Sequence, residues 1–172
     1  MRRLVALLPV AFAATLLGGT PASAHPLGNF TTNAGAAITI LPGTVRVDYA
    51  LDIAEIPTFQ LSEEINSDQD PDIDGSELAW WARRRAEELA GALEITVDDH
   101  PVALELGASR AAFAPGQGGL PVLRLDARLE APIPPRGELR FADGSELGAA
   151  GWREVTATGS DGMAVTGSTV PA

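Results

Sequence analysis

Between residues 66 and 77, oxygen-bearing side chains recur at every second position: Asn66, Asp68, Asp70, Asp72 and Asp74, with Glu77 closing the series. A twelve-residue calcium loop of the EF-hand kind draws oxygen ligands from positions 1, 3, 5, 7, 9 and 12. With Asn66 at position 1, Asp68, Asp70 and Asp74 fall on 3, 5 and 9. Asp72 falls on 7, which ligates through its carbonyl, Ile73 on the customary apolar position, and Glu77 on 12, the bidentate carboxylate. Position 6 departs from the pattern. It holds Pro71, whose ring fixes φ near −65°, where the sharp turn calls for a glycine at positive φ. A second frame starting at Asp70 keeps Gly75 at position 6 but puts Trp81 at position 12, and an indole cannot ligate a hard cation. The competing reading is a solvated acidic loop whose Asp74 and Glu77 cap the next helix as a capping box.

A second constellation depends on processing. Arg2 and Arg3, the apolar run Leu4–Leu17 and Ala22-Ser23-Ala24 have the order of a secretory signal peptide with an A-x-A cleavage site. Residues 1–24 are therefore expected to be a leader and residues 25–172 one extracytoplasmic domain. Cleavage would leave His25 with a free α-amine beside its imidazole, a pair able to chelate Ni2+ or Cu2+. Pro26 removes the next amide N–H and with it a square-planar site through the backbone.

The composition narrows the chemistry. There is no cysteine, hence neither a disulfide framework nor a thiolate metal site, and export without disulfides fits a bacterial envelope or secreted protein. The net charge is −11, and it becomes more negative once the leader arginines are removed. Such a chain is a poor nucleic-acid binder and attracts cations. No Ser-His-Asp set, cysteine nucleophile or two-histidine motif is present, so an enzyme is not expected.

The positioning elements follow from periodicity. Residues 36–41 read as a strand ended by Pro42-Gly43, and Val45, Val47, Tyr49, Leu51 and Ile53 alternate with polar or small residues as the clearest strand. Residues 56–65 read as a short helix after Glu55, and 76–93 as a long helix with Leu78, Trp81, Ala82, Arg85, Ala86, Leu89 and Leu93 on one stripe. Trp80 lies off that stripe, while Arg83, Arg84 and Arg85 are placed to pair with Glu87 and Glu88. Leu93–Val97, a turn at residues 98–101 and a return strand at 102–106 restore the period of two. Further strands are expected at 123–130 and 139–141, with weaker ones at 152–158 and 163–166. The fold class this predicts is α+β: a mainly antiparallel β-sandwich with an inserted, degenerate EF-hand-like helix-loop-helix at about residues 55–93.

Four stretches carry a family resemblance: His25-Pro-Leu-Gly-Asn-Phe30 after the leader, Val47–Gln60, Gly118–Leu125 and Gly151-Trp-Arg-Glu-Val155. Together they resemble the N-terminal extracytoplasmic region of bacterial nickel/cobalt transporter (NicO-type) membrane proteins. The resemblance implies an acidic loop of the form Asp-x-Asp-x-Asp-Gly ending in Glu, from which this chain departs at Asn66 and Pro71. It also implies that transport chemistry belongs to a bundle of membrane helices with His and Asp motifs, absent from these residues. The chain is thus expected to be an accessory, metal-facing outer domain and not a transporter on its own. Its expected partners are Ni2+ or Co2+ and a membrane transporter subunit or domain, with no nucleic acid. The alternative is a secreted β-sandwich binding module stabilised by Ca2+.

Overall fold

The structure, a computed structural model, describes residues 28–147 and 150–172. The expected leader and His25 lie outside the described residues. A single 3-10 turn at Gly28–Phe30 leads into β1 (Thr32–Leu41) and β2 (Thr44–Ile53), then helices α1 (Glu55–Ile65) and α2 (Gly75–Ala92). There follow β3 (Leu93–Val97), β4 (His100–Val102), β5 (Glu105–Pro115), β6 (Pro121–Pro132), β7 (Leu139–Asp143) and β8 (Arg153–Gly159). The strands form two sheets, one of five strands in the order β5-β6-β2-β1-β8 and one of three in the order β4-β3-β7. Every pairing is antiparallel except that of β1 with β8. The fold is α+β, with the two helices inserted between β2 and β3.

β2 is the central strand of the larger sheet, and its alternation is realised in full. Val45, Val47, Tyr49, Leu51 and Ile53 are all buried, and across the β2–β6 register they face Ala131, Leu129, Ala127, Leu125 and Leu123, also buried. The other faces of the same strands carry Arg46, Asp48, Asp52, Arg124, Asp126, Arg128 and Glu130, the polar side expected of an antiparallel sheet covered on one face. Helices and three-stranded sheet close over the apolar face, so that Ile65, Trp81, Ala82, Leu89, Leu93 and Ile95 join one core with β1, β2 and β6. On α2 the expected stripe sorts itself cleanly. Trp81 is 1% exposed and Trp80 55%, with the Arg84 guanidinium 5.0 Å above the Trp80 ring. Arg83 and Arg85 pair with Glu87 and Glu88, while Arg84 also reaches Glu64 and so ties α2 to α1.

Three features depart from the sequence reading. The return strand expected at 102–106 is two strands in different sheets: β4 pairs with β3, and β5 runs along the edge of the larger sheet. β5 itself is hidden in the sequence because Gly, Ala and Ser blunt its alternation and a register shift between Leu106 and Ala108 breaks its period. Residues 163–166 form no strand; the chain there passes β8, and the Ala157 N–H donates to the Pro171 carbonyl at 2.9 Å. The turn before β4 is tighter than expected. Asp98 and Asp99, both at positive φ (49° and 63°), make a two-residue hairpin, and exposed His100 already pairs with Val97.

Candidate functional site

The acidic loop spans the gap between α1 and α2. Its first anchor is Asp74, the residue before α2, whose Oδ1 accepts from the Ser76 N–H (2.7 Å), the Ser76 hydroxyl (2.7 Å) and the Glu77 N–H (3.0 Å). Glu77 Oε2 accepts in return from the Asp74 N–H at 3.0 Å, completing a capping box. Glu77 reaches further than a cap requires. Its Oε1 accepts from the N–H and hydroxyl of Ser67 (2.6 and 3.2 Å) and from the Asp68 N–H (3.3 Å), pinning the start of the loop to the start of α2. These donors, the Asp74 N–H foremost, hold the Glu77 carboxyl below the usual carboxylate range although partial desolvation opposes them. The Ser76 hydroxyl, with the N–H groups of Glu77 and Ser76, does the same for Asp74.

The remaining loop residues curl by short-range bonds. Asp68 Oδ1 accepts from the Asp70 N–H (3.1 Å) and Asp70 Oδ1 from the Asp72 N–H (2.8 Å), successive Asx turns that leave one carboxylate oxygen of each residue unused by the turn. The Asn66 amide NH2 donates to the Asp70 carbonyl at 2.7 Å, whereas its Oδ1 is buried with no donor among the described residues. The positive φ the loop needs falls on Gln69 (60°), two positions before Pro71. The site residues thus share one loop, but among the described residues no three His, Asp or Glu side chains converge as a metal cluster. Calcium would find the Asn66 oxygen and the spare Asp68 and Asp70 oxygens; Glu77 would first have to release its backbone donors.

A second polar site was not legible in the sequence. Tyr49, in the middle of the β2 core stripe, donates its hydroxyl to Asp143 Oδ2 at 2.8 Å and lies 3.2 Å from the Ser145 hydroxyl. Asp143 Oδ1 accepts from the Ser145 N–H (2.9 Å), and Arg153, at the start of β8, approaches Oδ2 at 3.3 Å while also bonding the Ser145 carbonyl. Burial pushes the Tyr49 hydroxyl up to about 12, and Asp143 adds to the rise. Burial also opposes the charge on Asp143, but the Ser145 hydroxyl and N–H, Tyr49 and Arg153 outweigh it and hold the carboxyl below its ordinary value. The signal was Tyr49 itself: a tyrosine in a core alternation must find a partner for its hydroxyl.

The stretches carrying the resemblance meet at one end of the larger sheet. Thr32 pairs with Ile53, and Ile53 with Leu123. The Ala54 N–H donates to the Thr31 carbonyl (3.0 Å), and the Ala34 N–H to the Trp152 carbonyl (3.0 Å). Glu55, buried in the first turn of α1, accepts from the Gln117 N–H at 2.6 Å, a bond that lowers its pKa. A Cβ at Gly116 would stand 2.7 Å from Glu55 Oε1 and 2.6 Å from the Leu120 carbonyl, so only glycine permits this seat. Phe30, Phe59 and Trp152, each more than half exposed, belong to these same stretches. No helix among the described residues is long and apolar enough to cross a membrane. Comparison with protein families, curated proteins and solved structures returns no match to this chain.

Proposed function

We propose that this chain is an extracytoplasmic accessory domain of a nickel/cobalt transport system, metal-facing but not a transporter by itself. The observation that supports this reading is the meeting of the resembling stretches at one sheet end, where Glu55 clasps the 116–120 loop and Phe30, Phe59 and Trp152 remain exposed. In this reading the exposed Phe30, Phe59 and Trp152 would meet a membrane transporter subunit, and after cleavage the α-amine and imidazole of His25 would chelate Ni2+ or Cu2+. The two sheets support the finer description as a β-sandwich with an inserted, degenerate EF-hand-like helix-loop-helix. The test is calorimetric titration of the exported chain with Ni2+ and Co2+. Ni2+ binding should strengthen from pH 6 to 8, because protons compete for an α-amine that titrates at roughly 7.7–8. One residue retained before His25 should abolish it; equal affinity with the extension would remove His25 from the reading.

A second reading, a secreted binding module stabilised by Ca2+, is favoured by one observation: the buried Asn66 Oδ1 with no donor among the described residues. In it Asn66, Asp68, Asp70, Asp72, Asp74 and Glu77 supply the loop, and Glu77 exchanges its N–H donors for the ion. A rise in melting temperature with Ca2+ that persists at moderate salt would support it. Stabilisation lost at about 0.1 M salt, where screening acts within roughly 10 Å, would reduce the loop to a diffuse acidic attraction.

A further inference from the structure

Three aspartates in the chain stand directly before a glycine: Asp74-Gly75, Asp143-Gly144 and Asp161-Gly162. Such a pair can modify itself, because no Cβ on the glycine hinders its nitrogen from attacking the neighbouring carboxyl. The fold treats the three pairs differently. Asp74 spends Oδ1 on Ser76 and Glu77 at the head of α2, and its own N–H is held by Glu77. Asp143 is held by Tyr49, Ser145 and Arg153, and the Gly144 N–H that would attack it donates to the Ala92 carbonyl at 3.0 Å. The Ser76 hydroxyl and the N–H groups beside it hold the Asp74 carboxyl ionised; burial opposes the charge on Asp143, but its partners outweigh that. A carboxylate has no hydroxyl to lose, so both resist cyclisation. Asp161 is exposed, and among the described residues its carboxyl accepts no hydrogen bond and joins no ion pair. The Gly162 N–H meets no acceptor among the described residues, and a Cβ at Gly162 would meet nothing within 4 Å, so a ring has room. Both residues have positive φ, 52° and 85°, and the Met163 N–H closes a type I′ turn on the Ser160 carbonyl at 3.0 Å. Types I′ and II′ share a positive φ at the first central residue and differ by a flip of the peptide plane between the two, which glycine follows at either sign of φ. That plane carries the Gly162 nitrogen.

We propose that Asp161-Gly162 is a self-modification site, where the chain closes a succinimide and isomerises to isoaspartate, and that the product loosens the C-terminal segment from β8. The Gly162 nitrogen bonds to Asp161 Cγ and gives up its proton, while the carboxyl hydroxyl leaves as water. Water then reopens the ring, at Cγ to restore aspartate or at the main-chain carbonyl to give isoaspartate, whose backbone runs through Cβ. One carbon is thereby added to a close-packed turn: a Cβ at Gly159 would lie 2.3 Å from the Met163 carbonyl. Beyond the turn, residues 163–172 come back to β8 at the bond from the Ala157 N–H to the Pro171 carbonyl. A longer turn displaces that acceptor.

Prolonged incubation of the folded chain in buffer of about pH 5, close to the ordinary aspartyl range, tests the site. Peptide mapping, with an isoaspartate methyltransferase and labelled S-adenosylmethionine as reagents, should find about tenfold more isoaspartate at Asp161 than at Asp74 or Asp143, whose hydrogen bonds must first open. In urea the three sites should react to within about threefold of one another, since only the local sequence then acts. Asp161→Glu, which would need a larger ring, should remove the signal at that position with an unchanged circular dichroism spectrum. Amide exchange at Ala157 should become several-fold faster in the aged chain but not in aged Asp161→Glu. Isoaspartate spread evenly over the three sites of the folded chain, or absent from Asp161, overturns the site; an unchanged Ala157 amide in chain isomerised at Asp161 overturns its effect on the C-terminal segment.

Discussion

The acidic loop and the Tyr49–Asp143 cluster both hold carboxylates in hydrogen bonds, yet only the cluster adds partners from distant elements. Asp143 is gripped by the Ser145 N–H of its own turn and, across the fold, by side chains of other elements, Tyr49 of β2 and Arg153 of β8, at the junction of the two sheets. Glu77 is gripped by N–H groups and a hydroxyl of its own loop. The first arrangement fixes long-range packing and has no slack. The second is local, and a competitor for the carboxylate would cost the fold only a loop. An aspartate-rich sequence therefore does not say which carboxylates are structural; the origin of their donors does.

The contrast is broken most severely at Asp143. Asp143→Ala removes the acceptor of Tyr49 and the partner of Arg153 in a largely buried place, and should cost about 3 kcal/mol of unfolding free energy in urea titration. Because the residues are coupled, Asp143→Ala with Tyr49→Phe should cost clearly less than the sum of the single changes. Tyr49→Phe alone should cost about 1 kcal/mol.

Next comes pH. Asp143, Glu77, Asp74 and Glu55 all have lowered pKa values in the fold, so their stabilisation is complete above the ordinary carboxylate range and fades as pH falls through their folded values. Tyr49 is raised from 10.0 to about 12, so its stabilisation is complete below pH 10 and is lost as pH rises from 10 to about 12. Unfolding free energy should then be flat through neutrality and fall on both sides. Tyr49→Phe should remove the alkaline fall and leave the acid fall mostly in place.

At the loop the expected effects are smaller and ligand-dependent. Glu77→Gln should speed amide exchange at Ser67, Asp68 and Asp74, the three N–H groups it holds, and should abolish any Ca2+-induced stabilisation. Pro71→Gly should tighten Ca2+ binding several-fold if the loop takes the ion, since glycine accepts the turn that proline refuses. Gln69→Gly should relieve a positive φ of 60° and raise stability by about 0.5 kcal/mol, with or without metal.

Much of this was legible because it is local. The five-fold alternation of β2, the stripe of α2 and the capping box need only neighbours in sequence. Long-range features were not. β5 hides behind its bulge, and the parallel placement of β8 leaves no trace in its own period. Nothing local marks Asp143 and Ser145 as partners of Tyr49 and Arg153, and only the proximity of β2 and β8 makes them an inter-sheet lock. At the candidate site, spacing picked out residues that share one loop, but it could not tell that Glu77 spends both oxygens on donors.

The parallel pairing of β8 with β1 has a consequence for when the domain can fold. The bond from the Trp152 N–H to Asn33 Oδ1 closes a separation of 119 residues, and the β1–β8 ladder extends from it. Closing so long a loop costs chain entropy before any contact repays it, which places β8 late on the folding path and makes the topology slow. During synthesis β1 emerges first and has one flank unpaired until nearly all of the remaining chain has followed. The five-stranded sheet cannot be completed while its last strand is still unmade.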